Sequence, residues 1–176
     1  MRVVAGDLRG RRIEAPPGST TRPTMDRARQ AVFNSLESLG EVDGAHVVDA
    51  YAGSGAMGIE ALSRGADSCT FIERDPAALA VLERNVASLG LGGRSRILRG
   101  DPLTLLAGCA DATLVLADPP YGFREWARLL AAVPSAFVVA ESDRAMSADE
   151  TLAAGWEAVR VRRYGRATVT FLRRLA

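Results

Sequence analysis

From Ala45 onward, the sequence alternates between short apolar runs and longer segments with helical periodicity. Five apolar runs predict strands, at 46–50, 68–73, 94–99, 113–117 and 136–141. Parallel strands need long crossover connections, and the intervening helical segments provide them. The pattern therefore favours an α/β fold in which a mostly parallel sheet carries helices on both faces. Two further runs, at 156–163 and 167–174, are joined by a connection too short for a helix, so they predict a closing antiparallel pair.

The first 20 residues do not follow this repeat. Two short runs, at 2–6 and 11–15, flank a polar turn and predict a small β-hairpin arm, and prolines and glycine at 16–18 then break it. We therefore divide the chain into an arm at 1–20 and a single domain at 21–176. A helix should follow the break, capped by Thr24 or Asp26 and ending near Leu39.

Basic residues are concentrated at the two ends of the chain, although the net charge is only +1. Residues 1–30 contain seven arginines and three acidic residues, and residues 156–176 contain six arginines and one acidic residue, whereas the centre is acidic. This distribution suggests a polyanionic partner at the ends, although ordinary solvated surface charge would give the same pattern.

Targeting and metal-binding signals are missing from the sequence. No apolar run approaches the roughly 20 residues that a membrane span requires. The two cysteines, Cys69 and Cys109, lack metal-ligand spacing. We therefore expect a cytoplasmic protein with reduced thiols, no metal ion and no membrane partner.

A glycine-rich segment follows the first predicted strand, and glycines there let the backbone turn sharply beside a ligand. Glu73 ends the next strand, twenty residues after Gly53, where it could accept hydrogen bonds from ribose hydroxyls. A dinucleotide would place its pyrophosphate at such a loop. The carboxylate of Asp49 would repel phosphate, however, so S-adenosylmethionine, which carries an ammonium, a sulfonium and a ribose, suits the site better. Asp101, after the third strand, could accept from an adenine amino group or cap a helix that starts at Pro102.

The segment Asp118-Pro119-Pro120-Tyr121 follows the fourth predicted strand. Its acid can accept a hydrogen bond from an amino group, its prolines fix the backbone and remove two donors, and its tyrosine offers a flat face to a planar ring. Together these residues could hold the exocyclic amine of a nucleobase.

These motifs resemble those of class I S-adenosylmethionine-dependent methyltransferases. The N-terminal segments at 2–6, 9–11, 22–24 and 27–34 narrow the resemblance to the RsmD family, which methylates N2 of a guanine in 16S rRNA. The resemblance implies a Rossmann-like, seven-stranded, mostly parallel sheet with an antiparallel last strand. It implies catalytic roles for Asp118, Pro119, Pro120 and Tyr121. The implied cofactor-binding residues are Asp49, Tyr51, Ala52, Gly53, Ser54, Gly55, Glu73, Arg74, Asp101, Pro102 and Asp118.

The resemblance also implies a 16S rRNA substrate. Because the chain has no room for a large RNA-recognition domain, we expect this rRNA to be bound within a small-subunit ribonucleoprotein particle. We also expect the enzyme to be a monomer. The candidate RNA-binding residues are Arg2, Arg9, Arg11, Arg12, Arg22, Arg27, Arg29 and Arg166. The chain departs from the family at Pro102, which has no N–H to offer an adenine ring. Three alternatives stay open: an adenine N6 methyltransferase, a nicotinamide-dependent oxidoreductase and a non-catalytic RNA-binding module.

Overall fold

The computed structural model describes residues 1–16, 23–134, 137–146, 151 and 154–175. Its strands are β1 (His46–Ala50), β2 (Ser68–Glu73), β3 (Ser95–Arg99), β4 (Leu114–Ala117), β5 (Phe137–Ser142), β6 (Trp156–Tyr164) and β7 (Ala167–Arg174). They form one sheet in the order β3-β2-β1-β4-β5-β7-β6. Strands β1 to β5 are parallel, and β7 is antiparallel to both β5 and β6. The predicted seven-stranded, mostly parallel sheet is confirmed.

Helices cover both faces of this sheet, as the alternating pattern predicts. The described helices are α1 (Pro23–Leu39), α2 (Ala56–Ser63), α3 (Pro76–Ser88), α4 (Pro102–Leu105) and α5 (Trp126–Ala132). Helices α1, α2 and α3 pack apolar side chains on one face, where Phe33, Ile59 and Leu82 share a core with Phe71 of β2. Helices α4 and α5 cover the opposite face. The β1–β4–β5 centre of the sheet is therefore buried on both sides, which explains its continuous apolar runs.

The start of α1 differs from the prediction. The helix begins at Pro23, so Thr24 and Asp26 lie inside its first turn and neither occupies the capping position. The carboxylate of Asp26 instead pairs with Arg29 at 3.0 Å, one turn further along the helix. Proline is favoured at the first helical position because its missing N–H has no partner there in any case.

The N-terminal arm forms less β-structure than predicted. A single antiparallel bridge joins Arg2 and Arg12 in place of two strands. Backbone hydrogen bonds within the arm join Val3 to Gly10 and Arg11, and Met1 to Ile13. The Glu60 carboxylate of α2 also accepts from the N–H groups of Val4 at 2.8 Å and Ala5 at 3.0 Å. Two apolar arm side chains are buried in the α1–α3 core, Val3 and Ile13. The described part of the arm is thus packed against the domain.

Two arginines complete this attachment and form, with Glu60, what we call the Glu60 cluster. Glu60 is fully buried and pairs with Arg64 Nε at 2.8 Å and with Arg29 Nε at 3.4 Å. Arg29 also donates to the carbonyl oxygen of Arg2. The cluster therefore joins α1, α2 and the arm through one carboxylate.

Candidate active site

Several acidic side chains lie at the carboxyl-terminal edge of the sheet because the register of the parallel strands brings them there. Ala117 of β4 pairs with Ala140 of β5, so the next residues, Asp118 and Glu141, lie side by side. Glu73 ends β2 at the same edge. Ligands of open α/β sheets bind at this edge.

The glycine-rich loop is held by the two carboxylates that the sequence singled out. The N–H of Gly53 donates to Glu73 Oε2 at 2.8 Å, and the N–H of Gly58 donates to Asp49 Oδ2 at 2.8 Å. Tyr51 enters the loop with a φ of 68°, the one positive φ outside glycine among the described residues. Such a conformation costs roughly 1–3 kcal/mol and is concentrated at functional sites.

Close packing accounts for Gly55, the residue that precedes α2. Gly55 has a φ of 81°, and a Cβ there would collide with the side chain of Leu82 on α3. The loop therefore packs closely against the Leu82 side chain, and the positive φ itself favours glycine at this position.

Two further backbone N–H groups donate hydrogen bonds to Glu73. Its Oε1 accepts from the backbone N–H groups of Arg74 and Asp75, both at 2.8 Å. A carboxylate offers about four lone-pair positions. With three used, Glu73 can still accept a hydrogen bond from a ligand hydroxyl.

Asp101 acts as a helix cap. Its Oδ1 accepts from the N–H of Leu103 at 2.9 Å, and Pro102 begins α4. This confirms the capping interpretation of Asp101. The adenine interpretation stays a prediction.

One open pocket of about 290 Å³ brings most of the predicted chemistry together. It is lined by Tyr51, Ile72, Glu73, Arg74, Pro102, Asp118, Pro119, Pro120 and Tyr121. Other predicted cofactor residues lie beside the pocket and do not line it: Asp49, Ala52, Gly53, Ser54, Gly55 and Asp101. The Asp118-Pro119-Pro120-Tyr121 segment and Glu73 thus share one cavity.

Aromatic side chains form the rim of this pocket and pack behind it. Tyr121 is 81% exposed, so its ring is free to cover a planar ligand. Behind it, Phe123 makes edge-to-face contacts with Tyr51 at 5.8 Å and with Trp126 at 5.0 Å. Trp126 is buried on α5 and supports the rim from below.

Asp118 also borders a second, small void of about 10 Å³ on the α1 side of the sheet, together with Asp49 and Glu141. Burial raises the pKa of Asp49 to about 8, the Gly58 hydrogen bond opposes this shift, and the charges of Asp118 and Glu73 reinforce it. Desolvation by the surrounding strand ends, with a smaller contribution from Glu141, raises the pKa of Asp118 to about 7. Burial also raises the pKa of Glu141.

Glu141 was not among the residues predicted for the site. The signal was available, because Glu141 follows a buried apolar run just as Asp118 does. Among the described residues, no group of three His, Cys, Asp or Glu side chains is arranged to hold a metal ion.

The structure corrects one predicted RNA contact. Arg29 is buried, and its guanidinium bonds to Asp26, Glu60 and the arm backbone, so it is not available to bind phosphate. Arg22 lies outside the described residues. The other predicted arginines are exposed: Arg2, Arg9, Arg11, Arg12, Arg27 and Arg166.

Comparison with known proteins agrees with this geometry. The family model described as "Conserved hypothetical protein 95" matches residues 1–173. Ribosomal RNA small subunit methyltransferase D of Escherichia coli K12 is 38% identical over 122 residues, which cover 69% of this chain and 60% of that relative. The chain belongs to the RsmD family.

Other relatives extend the match over nearly the whole chain. Bacillus subtilis YlbH, named as a candidate rRNA methyltransferase, is 34% identical over 163 residues, covering 86% of this chain and 88% of that protein. The structure of E. coli YhhF, titled as a candidate methyltransferase, superposes with a TM-score of 0.82 at 30% identity, covering 100% and 98% of the two chains. The class I methyltransferase fold is confirmed. No described helix of this RsmD-family chain is long and apolar enough to cross a membrane.

Proposed function

We propose that this chain transfers a methyl group from S-adenosylmethionine to the exocyclic N2 of a guanine in 16S rRNA. The observation that carries the proposal is the shared pocket, in which Glu73 and Tyr51 face the segment that starts at Asp118. The names of the E. coli and B. subtilis relatives support rRNA as the substrate.

The pocket residues fit S-adenosylmethionine better than a dinucleotide. Glu73 has acceptor capacity left for a ribose hydroxyl, and Pro102 offers an apolar face without a competing donor. Two carboxylates, Glu73 and Asp118, line the pocket against one arginine, Arg74, which favours a cationic ligand over a pyrophosphate. When bound, S-adenosylmethionine supplies an electrophilic methyl group on a sulfonium.

In this proposal, the residues of the rim orient the amine. The Asp118 carboxylate and the Pro119 carbonyl accept the two N2 hydrogens of guanine, which favours a pyramidal nitrogen with its lone pair directed at the cofactor. Tyr121 stacks on the base and fixes its plane. Most of the rate enhancement then comes from orientation. Asp118 receives a proton only after the nitrogen has become cationic, and a pKa near 7 suits that step.

The base must leave its stack to reach this pocket. Exposed arginines on the arm and on α1 are the candidates to hold the surrounding phosphates. We further propose that the substrate is 16S rRNA in a small-subunit particle in the cytoplasm, and that the enzyme acts as a monomer.

The test measures methyl transfer to 16S rRNA and identifies the product by mass spectrometry. We expect N2-methylguanine from the wild type and none from Asp118→Ala, with unchanged calorimetric affinity for S-adenosylhomocysteine. Asp143→Asn is the matched control, since Asp143 is an exposed acid just after β5 that pairs with Arg124 at the surface. N6-methyladenine as the product would replace the proposal with the adenine alternative, and wild-type turnover in Asp118→Ala would refute the mechanism.

A further inference from the structure

The β6–β7 hairpin forms an edge of the sheet, because β6 has a strand neighbour only on its β7 side. Residues 160–166 contain four arginines and no acidic residue. Three of these arginines are exposed, Arg162, Arg163 and Arg166. The hairpin therefore carries a basic patch that the function proposed above does not fully use.

The strand register places this patch at the catalytic edge of the sheet. Thr168 of β7 pairs with Ser142 at the carboxyl end of β5 on one side and with Arg163 on the other. The two-residue turn beyond, with Gly165 at a φ of 62°, lies at the same edge. Because Asp118 and Glu141 lie at that edge too, the hairpin tip lies on the same side of the sheet as the pocket, beyond β5.

The arginines of this hairpin fall into two groups. At the end far from the pocket, Arg173 pairs with Glu41 at 3.1 Å, and Arg174 donates to the Val133 carbonyl and covers the Trp156 ring. At the pocket end, Arg163 and Arg166 make no ion pair or side-chain hydrogen bond with any described residue. Exposed guanidinium groups without internal partners are suited to phosphate, which they can bind with two parallel hydrogen bonds.

Charged side chains also protect edge strands from pairing with other chains. That role requires charge of either sign on the strand, whereas binding to a phosphodiester backbone requires positive charge. Replacing the arginines by glutamates therefore distinguishes the two roles, because edge protection would be kept and phosphate binding would be lost.

We propose that Arg163 and Arg166 form a docking surface for the phosphodiester backbone of the RNA strand that leads to the target nucleotide. The inference rests on the proposed rRNA substrate and extends it, since it assigns a path for the strand along the hairpin tip. Such contacts position the substrate and carry no sequence information.

The test compares R163E/R166E with R96E/R99E, which makes the same charge change at exposed positions of β3, the opposite edge strand. Filter binding to transcribed 16S rRNA is measured from low to physiological salt. We expect R163E/R166E to bind about tenfold more weakly and to lower the slope of log K against log salt by about 1.4, at about 0.7 for each phosphate that the variant no longer binds. The affinity for S-adenosylhomocysteine should stay unchanged in R163E/R166E.

Equal RNA affinity of R163E/R166E and the wild type would overturn the inference and leave edge protection or a protein partner as the role of the patch. Equal weakening by both double variants would also overturn it, because net charge alone would then explain the effect. The proposed methylation is judged separately, by whether the wild type forms N2-methylguanine. A failure there would not disturb the binding comparison.

Discussion

Replacing Glu60 by alanine should detach the N-terminal arm and destabilise the fold. The fully buried carboxylate accepts two arm N–H groups, at 2.8 and 3.0 Å, and pairs with Arg64 at 2.8 Å and Arg29 at 3.4 Å. Removing the carboxylate leaves Arg29 and Arg64 without the buried anion that they share. It also leaves the N–H groups of Val4 and Ala5 without an acceptor. Breaking a buried ion pair by deleting one partner costs about 3–5 kcal/mol. We expect a loss of about 4 kcal/mol, a large share of the roughly 5–15 kcal/mol typical of a domain.

Urea unfolding followed by circular dichroism measures this loss as a lower midpoint with a similar slope. Glu60→Gln keeps the shape and one acceptor oxygen, so it should lie between the wild type and Glu60→Ala. Glu83→Ala makes the same substitution at an exposed position of α3 and should change stability by about 0.5 kcal/mol or less. A loss below about 1 kcal/mol for Glu60→Ala would show that the cluster does not hold the arm.

Two further predictions concern the site and its loop. Glu141→Gln removes a negative charge beside Asp118, so the pKa of Asp118 should fall from about 7. The acidic limb of the methylation pH–rate profile should then move to lower pH. An unmoved limb would show that the charge of Glu141 does not affect the pKa of Asp118. Gly58→Ala places a Cβ against the Phe71 ring, so urea unfolding should show a loss of about 1–3 kcal/mol. Gly93→Ala, at a glycine with open space around it, should have little effect, and equal losses in the two variants would exclude packing as the cause.

The sequence predicted the sheet well because each strand carries its own local signal. The bounds predicted for the first two strands agree with β1 and β2. Buried parallel strands appear in a sequence as apolar runs that end at polar residues, so their bounds can be recognised. The loop contacts of Asp49 and Glu73 were not predictable in detail, yet both acids were placed correctly at the edge. The apolar pattern of the sequence was sufficient to place these two acids, because each lies at or next to the end of a predicted strand.

Long-range contacts could not be predicted in this way. The arm has the local pattern of a hairpin and keeps part of that backbone pairing, but nothing local shows that Glu60 of α2 accepts from the N–H groups of Val4 and Ala5. Arg29 resembled a surface cation because nothing local shows that Glu60, 31 residues later, lies beneath it. Glu141 was overlooked because its importance depends on a neighbour, Asp118, that only the register reveals.

Helix α2 connects the glycine-rich loop to the arm. Near its start, the Gly58 N–H is fixed to Asp49, and two residues later Glu60 holds the arm's backbone. With a rise of about 1.5 Å per residue, these anchor points are only about 3 Å apart along the axis. A shift of α2 along its axis would therefore displace the glycine-rich loop and the arm together.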